Sequence, residues 1–170
     1  DNFVIYHNSP NKSILVNKEK KEIILNKKKI TNKFIFFGND INNWNIIFNG
    51  VKEKQKDIAR HKRDENMIGG CITFINSIFT NISIEMFNNT CSKGIEVLNS
   101  NGSFKDIIIT KSILDAFDAE FSKISINKIL IQEANGECIG LKRGKYEIDG
   151  AILNECLDHS ISVGEHAELE

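Results

Sequence analysis

Glu96 and Asp118 lie 22 residues apart, and Asp115, Glu120 and Glu137 stand near them if the chain returns on itself with that period. Two carboxylates one strand spacing apart, at about 5 Å, match the separation of a retaining glycosidase pair, one acting as nucleophile and the other as an acid of raised pKa. The same column of oxygens suits Ca²⁺. It also suits a plain acidic face in water, which is the simplest of the three. The catalytic reading names Asp118 with Glu96 or Glu120, and the binding reading takes all five acids.

The other reactive side chains are less informative. Four cysteines occur without C-x-x-C spacing, so neither a zinc ribbon nor a redox pair is signalled. Cys71 and Cys138 are expected as buried thiols, whereas Cys91 and Cys156 fall in turns too far apart to bridge each other. All four are expected free. His159 and His166 flank Glu165 and could recruit a metal with Asp158, but no ligand spacing supports it, and no metal is expected. Sequons at Asn11, Asn81, Asn88 and Asn101 carry little weight in so Asn-rich a chain.

What would position the acids is a repeat. Ile95, Phe117, Ile139 and Ile161 fall 22 apart, and Val97, Ala119, Leu141 and Val163 follow two residues later. Each pair reads in-out-in, a short strand with one face buried and the acids between the inward residues facing water. Ile82, Phe104, Ile126 and Ile148 form a column in a second strand block, and Phe87, Ile109, Ile131 and Leu153 form another. Small residues stack just before the first column: Gly94, Ala116, Cys138 and Ser160. With drift the first column extends backwards through Ile72 and Phe74, Ile46 and Phe48, and Ile23 and Leu25. The expected fold is all-β: a right-handed parallel β-helix solenoid of about seven rungs, with a repeat near 22 residues. A leucine-rich repeat has a similar period but wants a Leu/Asn consensus and one strand per repeat.

Length and composition agree with one β-helix domain over residues 1–170, a fragment of a longer chain, with residues 51–66 a charged, protease-sensitive loop insertion. At 41% hydrophobic the chain is not disordered, and no stretch has the roughly 18 apolar residues of a membrane span. Residues 1–67 carry 14 Lys and Arg against 8 Asp and Glu, and residues 68–170 carry 8 against 15. The basic runs lack interleaved aromatics, so nucleic acid is not an expected partner.

Asp115-Ala-Phe-Asp-Ala-Glu-Phe-Ser122, Ala134-Asn-Gly-Glu-Cys-Ile-Gly-Leu141 and Ile161-Ser-Val-Gly-Glu165 resemble successive rungs of right-handed, pectate-lyase-like β-helix modules. Such modules occur in bacterial surface or secreted proteins, sometimes beside CotH-type kinase or lamin-tail domains. Phe34-Ile-Phe-Phe37 and Asn39-Asp-Ile-Asn-Asn-Trp44 are similar to the family's approach to an early rung. Glu137-Cys138 and Asp158-His159-Ser160 depart from its Asp-Gly and Asp-Lys-Gly. The resemblance implies an extracellular or cell-envelope module with flanking domains, and is nearly silent on activity. The leading expectation is a non-enzymatic rigid spacer or carbohydrate-contacting segment; the alternative is a polysaccharide lyase or glycoside hydrolase. The last full rung, at Ile161 and Val163, has five residues after it, so self-association through the carboxyl-terminal edge is also expected.

Overall fold

A computed structural model describes residues 2–10, 12–51 and 68–170; the charged insertion expected at 51–66 lies, Val51 apart, outside the described residues. β-Branched and aromatic residues alternating with polar ones make extended chain wherever one face can be buried. The chain opens with β1 (Asn2–His7), β2 (Ile14–Asn17), β3 (Glu22–Asn26), β4 (Phe34–Asn42), β5 (Asn45–Asn49) and the long β6 (Gly70–Phe87). It then repeats: β7 (Lys93–Leu98) and β8 (Asn101–Ile109), then β9 (Asp115–Glu120) and β10 (Lys123–Ile131). β11 (Ile139–Lys142), β12 (Gly144–Ile148) and β13 (Ala151–Leu153) follow, and β14 (Ile161–Val163) and β15 (Ala167–Leu169) close the chain. The result is a parallel β-solenoid without helices among the described residues.

Each turn has three straight stretches, so the solenoid has three faces. The first stacks β4, β6, β7, β9, β11 and β14 in parallel, with Ile95, Phe117, Ile139 and Ile161 in register as the spacing predicts. The second stacks the middle of β6 on the starts of β8 and β10, then β12 and β15. The third stacks β3, β5, the ends of β6, β8 and β10, and β13. Inward side chains from all three meet in one core, where Phe74, Phe79, Phe104 and Phe117 form a continuous run of ring contacts at 4.8–6.0 Å.

Two register expectations need correction. Ile46 and Phe48, and before them Ile23 and Leu25, lie on the third face against Ile84 and Met86; Phe34 and Phe36 are what precede Ile72 and Phe74 on the first. Both candidates read in-out-in, and the 20-residue interval between β5 and β6 hid which one was a turn back. Among the described residues the first face therefore has six parallel strands, consistent with the expected count of about seven rungs. Met86, not Phe87, stacks on Ile109, because Ile82 pairs with Phe104 while Ser83 pairs with Asp106. Lys105 is the extra residue of a bulge, which shifts the alternation by one.

The corner between the first and second faces is built from one backbone conformation. Asn76, Asn99, Phe121, Arg143 and His166 all have φ between 45° and 56° and are exposed. The next residue caps the corner from inside. The Ser100 hydroxyl donates to the Leu98 carbonyl at 2.8 Å and accepts the Ser77 N–H at 3.0 Å; the Ser122 hydroxyl does the same for Glu120 and Ser100. At the following corner the position is Gly144, whose added Cβ would lie 2.2 Å from the Ser122 carbonyl oxygen. There the buried Tyr146 hydroxyl donates to the Lys142 carbonyl at 2.7 Å and lies 3.1 Å from that of Ala119. It serves the carbonyl that a serine hydroxyl serves elsewhere.

The four cysteines are not free thiols. Cys71 bonds Cys91, and Cys138 bonds Cys156, with Cα atoms 5.4 and 5.5 Å apart. Each pair ties the small-residue corner before a first-face strand to the corner of the next turn. Separations of 20 and 18 residues fall just short of one repeat, which places the partners over one another.

The two ends differ. At the amino-terminal end β1 runs antiparallel on β4 and β2 antiparallel on β3. At the other end Ile161, Val163 and Leu169 are 36–48% exposed.

Burial pushes the Tyr146 phenol up to about 12. The folded state then holds a proton that the unfolded chain releases from about pH 10, so stability falls as pH rises from 10 towards 12. Tyr146→Phe is expected to cost about 1–3 kcal/mol at pH 7, from the unserved carbonyl. That deficit should shrink by about 1.4 kcal/mol per pH unit above pH 10. Urea unfolding at pH 7, 10 and 11 checks both; a deficit constant with pH would refute the assignment.

Candidate functional site

The outward positions of the first face bring Thr73, Glu96, Asp118 and Gly140 into one column across β6, β7, β9 and β11. Glu96 and Asp118 therefore stack as the 22-residue spacing predicts. They do not face water: each is 1% exposed, and Thr73 is fully buried. The physical reason is that the column is roofed by cations and backbone donors.

One Glu96 carboxylate oxygen accepts the N–H groups of Gly69 and Gly70 at 2.9 and 3.1 Å, with the Thr73 hydroxyl at 3.4 Å. The other accepts from the Lys93 ammonium at 2.8 Å. The same ammonium reaches one Asp118 oxygen at 2.7 Å, and Lys142 lies 3.6 Å from the other. Burial opposes the charge on Lys93, but Asp118 and then Glu96 outweigh it and hold its pKa above the usual lysine range. Lys93 is thus the shared counter-ion of two carboxylates from neighbouring turns.

The remaining acids separate into two neighbourhoods. Asp115 accepts the Glu137 N–H at 3.0 Å; burial, and secondarily the charge of Asp118, raises its pKa despite that bond. Gly140 leaves room above Asp118, since a Cβ there would meet Glu137 at 2.7 Å and Asp118 at 2.9 Å. Glu120 belongs elsewhere. It pairs with Arg143 at 2.6 Å on the corner, and the Arg143 guanidinium lies 5.2 Å from the centre of the exposed Phe121 ring.

Ligand atoms of Glu137, Asp158 and His159 converge within 4.8 Å of one another, with His159 and Asp158 2.8 Å apart. His166 and Glu165, weighed with Asp158 from the sequence, do not join them. The signal that finds Glu137 is its position one turn before His159. An open groove of about 590 Å³ crosses the second face, lined by Ile78, Ser103, Lys123, Ser125, Lys145 and Glu147 among others. None of the five acids lines it.

Chemically the Glu96–Lys93–Asp118 arrangement neutralises charge. A retaining pair needs one carboxylate able to attack and one able to give up a proton, whereas both Glu96 oxygens are occupied and one ammonium lies between the two acids. The Lys93→Met chain should lose about 3–5 kcal/mol, because two buried carboxylates would be left facing each other. Adding Glu96→Gln and Asp118→Asn should restore much of that loss. Denaturant midpoints of the two chains read this directly, and an unchanged midpoint for Lys93→Met would contradict the counter-ion role.

Comparison with known proteins finds no family model, no curated protein and no solved structure that matches this chain.

Proposed function

We propose that this chain is a non-enzymatic module of the pectate-lyase-like β-helix kind, a rigid spacer that contacts carbohydrate, within a larger extracellular or cell-envelope protein. The observation that carries the carbohydrate reading is Phe121. It is 56% exposed at φ 53°, in a corner column where two sister positions are Asn. The left-handed conformation is common to the column, and a bulky residue held in it costs about 1–2 kcal/mol where Asn is better tolerated. An exposed ring beside the paired Arg143 and Glu120 offers a sugar both an apolar platform and hydrogen-bonding partners. The exposed corner column runs along the solenoid axis, one residue per strand spacing of about 4.8 Å, beside Lys123 and Lys145 of the second-face groove. A linear glycan fits that layout better than a compact ligand. Two disulfides support an oxidising compartment. The saturated Glu96 and the shared Lys93 favour binding over the polysaccharide-cleaving alternative.

A glycan array with the unmodified chain and Phe121→Asn tests the reading. The variant should lose binding while its stability is unchanged or rises by about 1 kcal/mol, since Asn tolerates this backbone region. Equal binding by both chains, or none by either, would overturn it.

Self-association belongs to the same proposal. The exposed Ile161, Val163 and Leu169 lie at the outer edge of β14 and β15, and a further strand from a second copy could pair there. Sedimentation velocity should show dimers growing in with concentration; a strict monomer at millimolar concentration would refute this part alone.

A further inference from the structure

The two disulfides hold equivalent places in the solenoid but differ in what surrounds them. Cys71 and Cys91 are 0% and 5% exposed, and the side chain of Lys27, 4% exposed, reaches them from the corner of an earlier turn. Its ammonium lies 3.2 Å from the Cys71 sulfur and 3.0 Å from that of Cys91. The Lys27 backbone N–H donates to the Asn49 carbonyl at 2.9 Å, which anchors the residue in that corner. Around Cys138–Cys156 the polar neighbour of the Cys156 sulfur is the Asn154 carbonyl at 3.9 Å; among the described residues no ammonium approaches that pair as Lys27 does the first.

A disulfide is neutral, and an ammonium beside it gains little from the contact. Reduction creates a thiolate, and the same ammonium then stabilises a full negative charge in a buried place where that charge would otherwise be costly. A lower thiol pKa makes the sulfur a better leaving group and favours the reduced pair. We infer that Cys71–Cys91 is a thiol-exchange site, a disulfide poised by Lys27 for reduction by a dithiol.

The exchange runs as follows. One thiolate of the dithiol attacks the Cys91 sulfur, the less covered of the two, and forms a mixed disulfide. The Cys71–Cys91 bond breaks, and its electron pair leaves on the Cys71 sulfur as a thiolate beside Lys27. The second thiolate of the dithiol then attacks its partner sulfur and expels Cys91. The dithiol is oxidised by two electrons to its own disulfide and gives up two protons, one of which protonates Cys91 while the other passes to solvent and leaves Cys71 a thiolate beside Lys27. Opening this bond unties the corner before β6 from that of the next turn and leaves Cys138–Cys156 in place.

Equilibrating the intact chain with reduced and oxidised dithiothreitol, then alkylating and weighing the peptides, gives the ratio at which each pair is half reduced. Lys27→Met should require at least a tenfold higher ratio of reduced to oxidised dithiothreitol at Cys71–Cys91 than the unmodified chain. Lys27→Arg, which keeps the charge, should stay within threefold of the unmodified chain, and Cys138–Cys156 should not move in either variant. A smaller difference for Lys27→Met overturns the inference. Should that chain fail to fold, thiolate absorbance in Cys91→Ser decides: a Cys71 thiol titrating at least one unit below the ordinary 8.5 supports the role of Lys27, and anything higher overturns it.

Discussion

Parallel strands stacked one above another point their backbone N–H and C=O groups along the stacking axis, so each turn of this solenoid can satisfy its amides only through its neighbours. Every other feature follows from that dependence. A residue's partner lies one turn away, near residue i+22, so Ile95 meets Phe117 and Phe117 meets Ile139. An inserted residue must be absorbed as a bulge, as at Lys105. At the amino-terminal end β1 and β2 supply antiparallel partners to the outer edges of β4 and β3.

Corners are where the dependence is hardest to meet. The chain must change direction within two residues without stranding an amide, and it does so with a left-handed residue followed by a buried hydroxyl. Asn76 and Asn99 fit the first requirement and stack their amides at 2.7 Å. Ser77, Ser100 and Ser122 fit the second. Where Gly144 breaks the serine column, Tyr146 sends its hydroxyl to the same carbonyl from two residues further on. What the corner needs is an oxygen–hydrogen donor at that point in space, whichever residue brings it.

The same stacking brings like charges together and then has to neutralise them. Glu96 and Asp118 share a column because their spacing equals the repeat, and Lys93, three residues before Glu96 at the start of β7, reaches both carboxylates, at 2.8 and 2.7 Å. Stacking also places pairs of corner residues over one another, which is why both cystine bridges join neighbouring turns, and why Lys27 from an earlier turn reaches the sulfurs of one of them.

The sequence by itself determined the class of fold and the register of its regular part, because a side-chain period of two within a longer period of 22 has few other solutions for a chain of this length. It also placed Glu96 over Asp118, one repeat apart, whereas Glu120, grouped with them from the sequence, lies apart on the corner with Arg143. Direct reading stopped where two segments carried the same local pattern. Phe34 and Phe36, and Ile46 and Phe48, both alternate correctly, and only the three-dimensional stack selects which pair lies on the first face. Only the tertiary structure decided that Glu96 and Asp118 are covered, since outwardness along a strand fixes direction and not what lies above. The disulfides were half legible, as separations a little short of one turn, but Cα distances of 5.4 and 5.5 Å come from the path of the corners. Periodicity is a property of neighbours in the chain; burial, ion pairing and bridging belong to neighbours in space, and in a solenoid these lie a full turn apart.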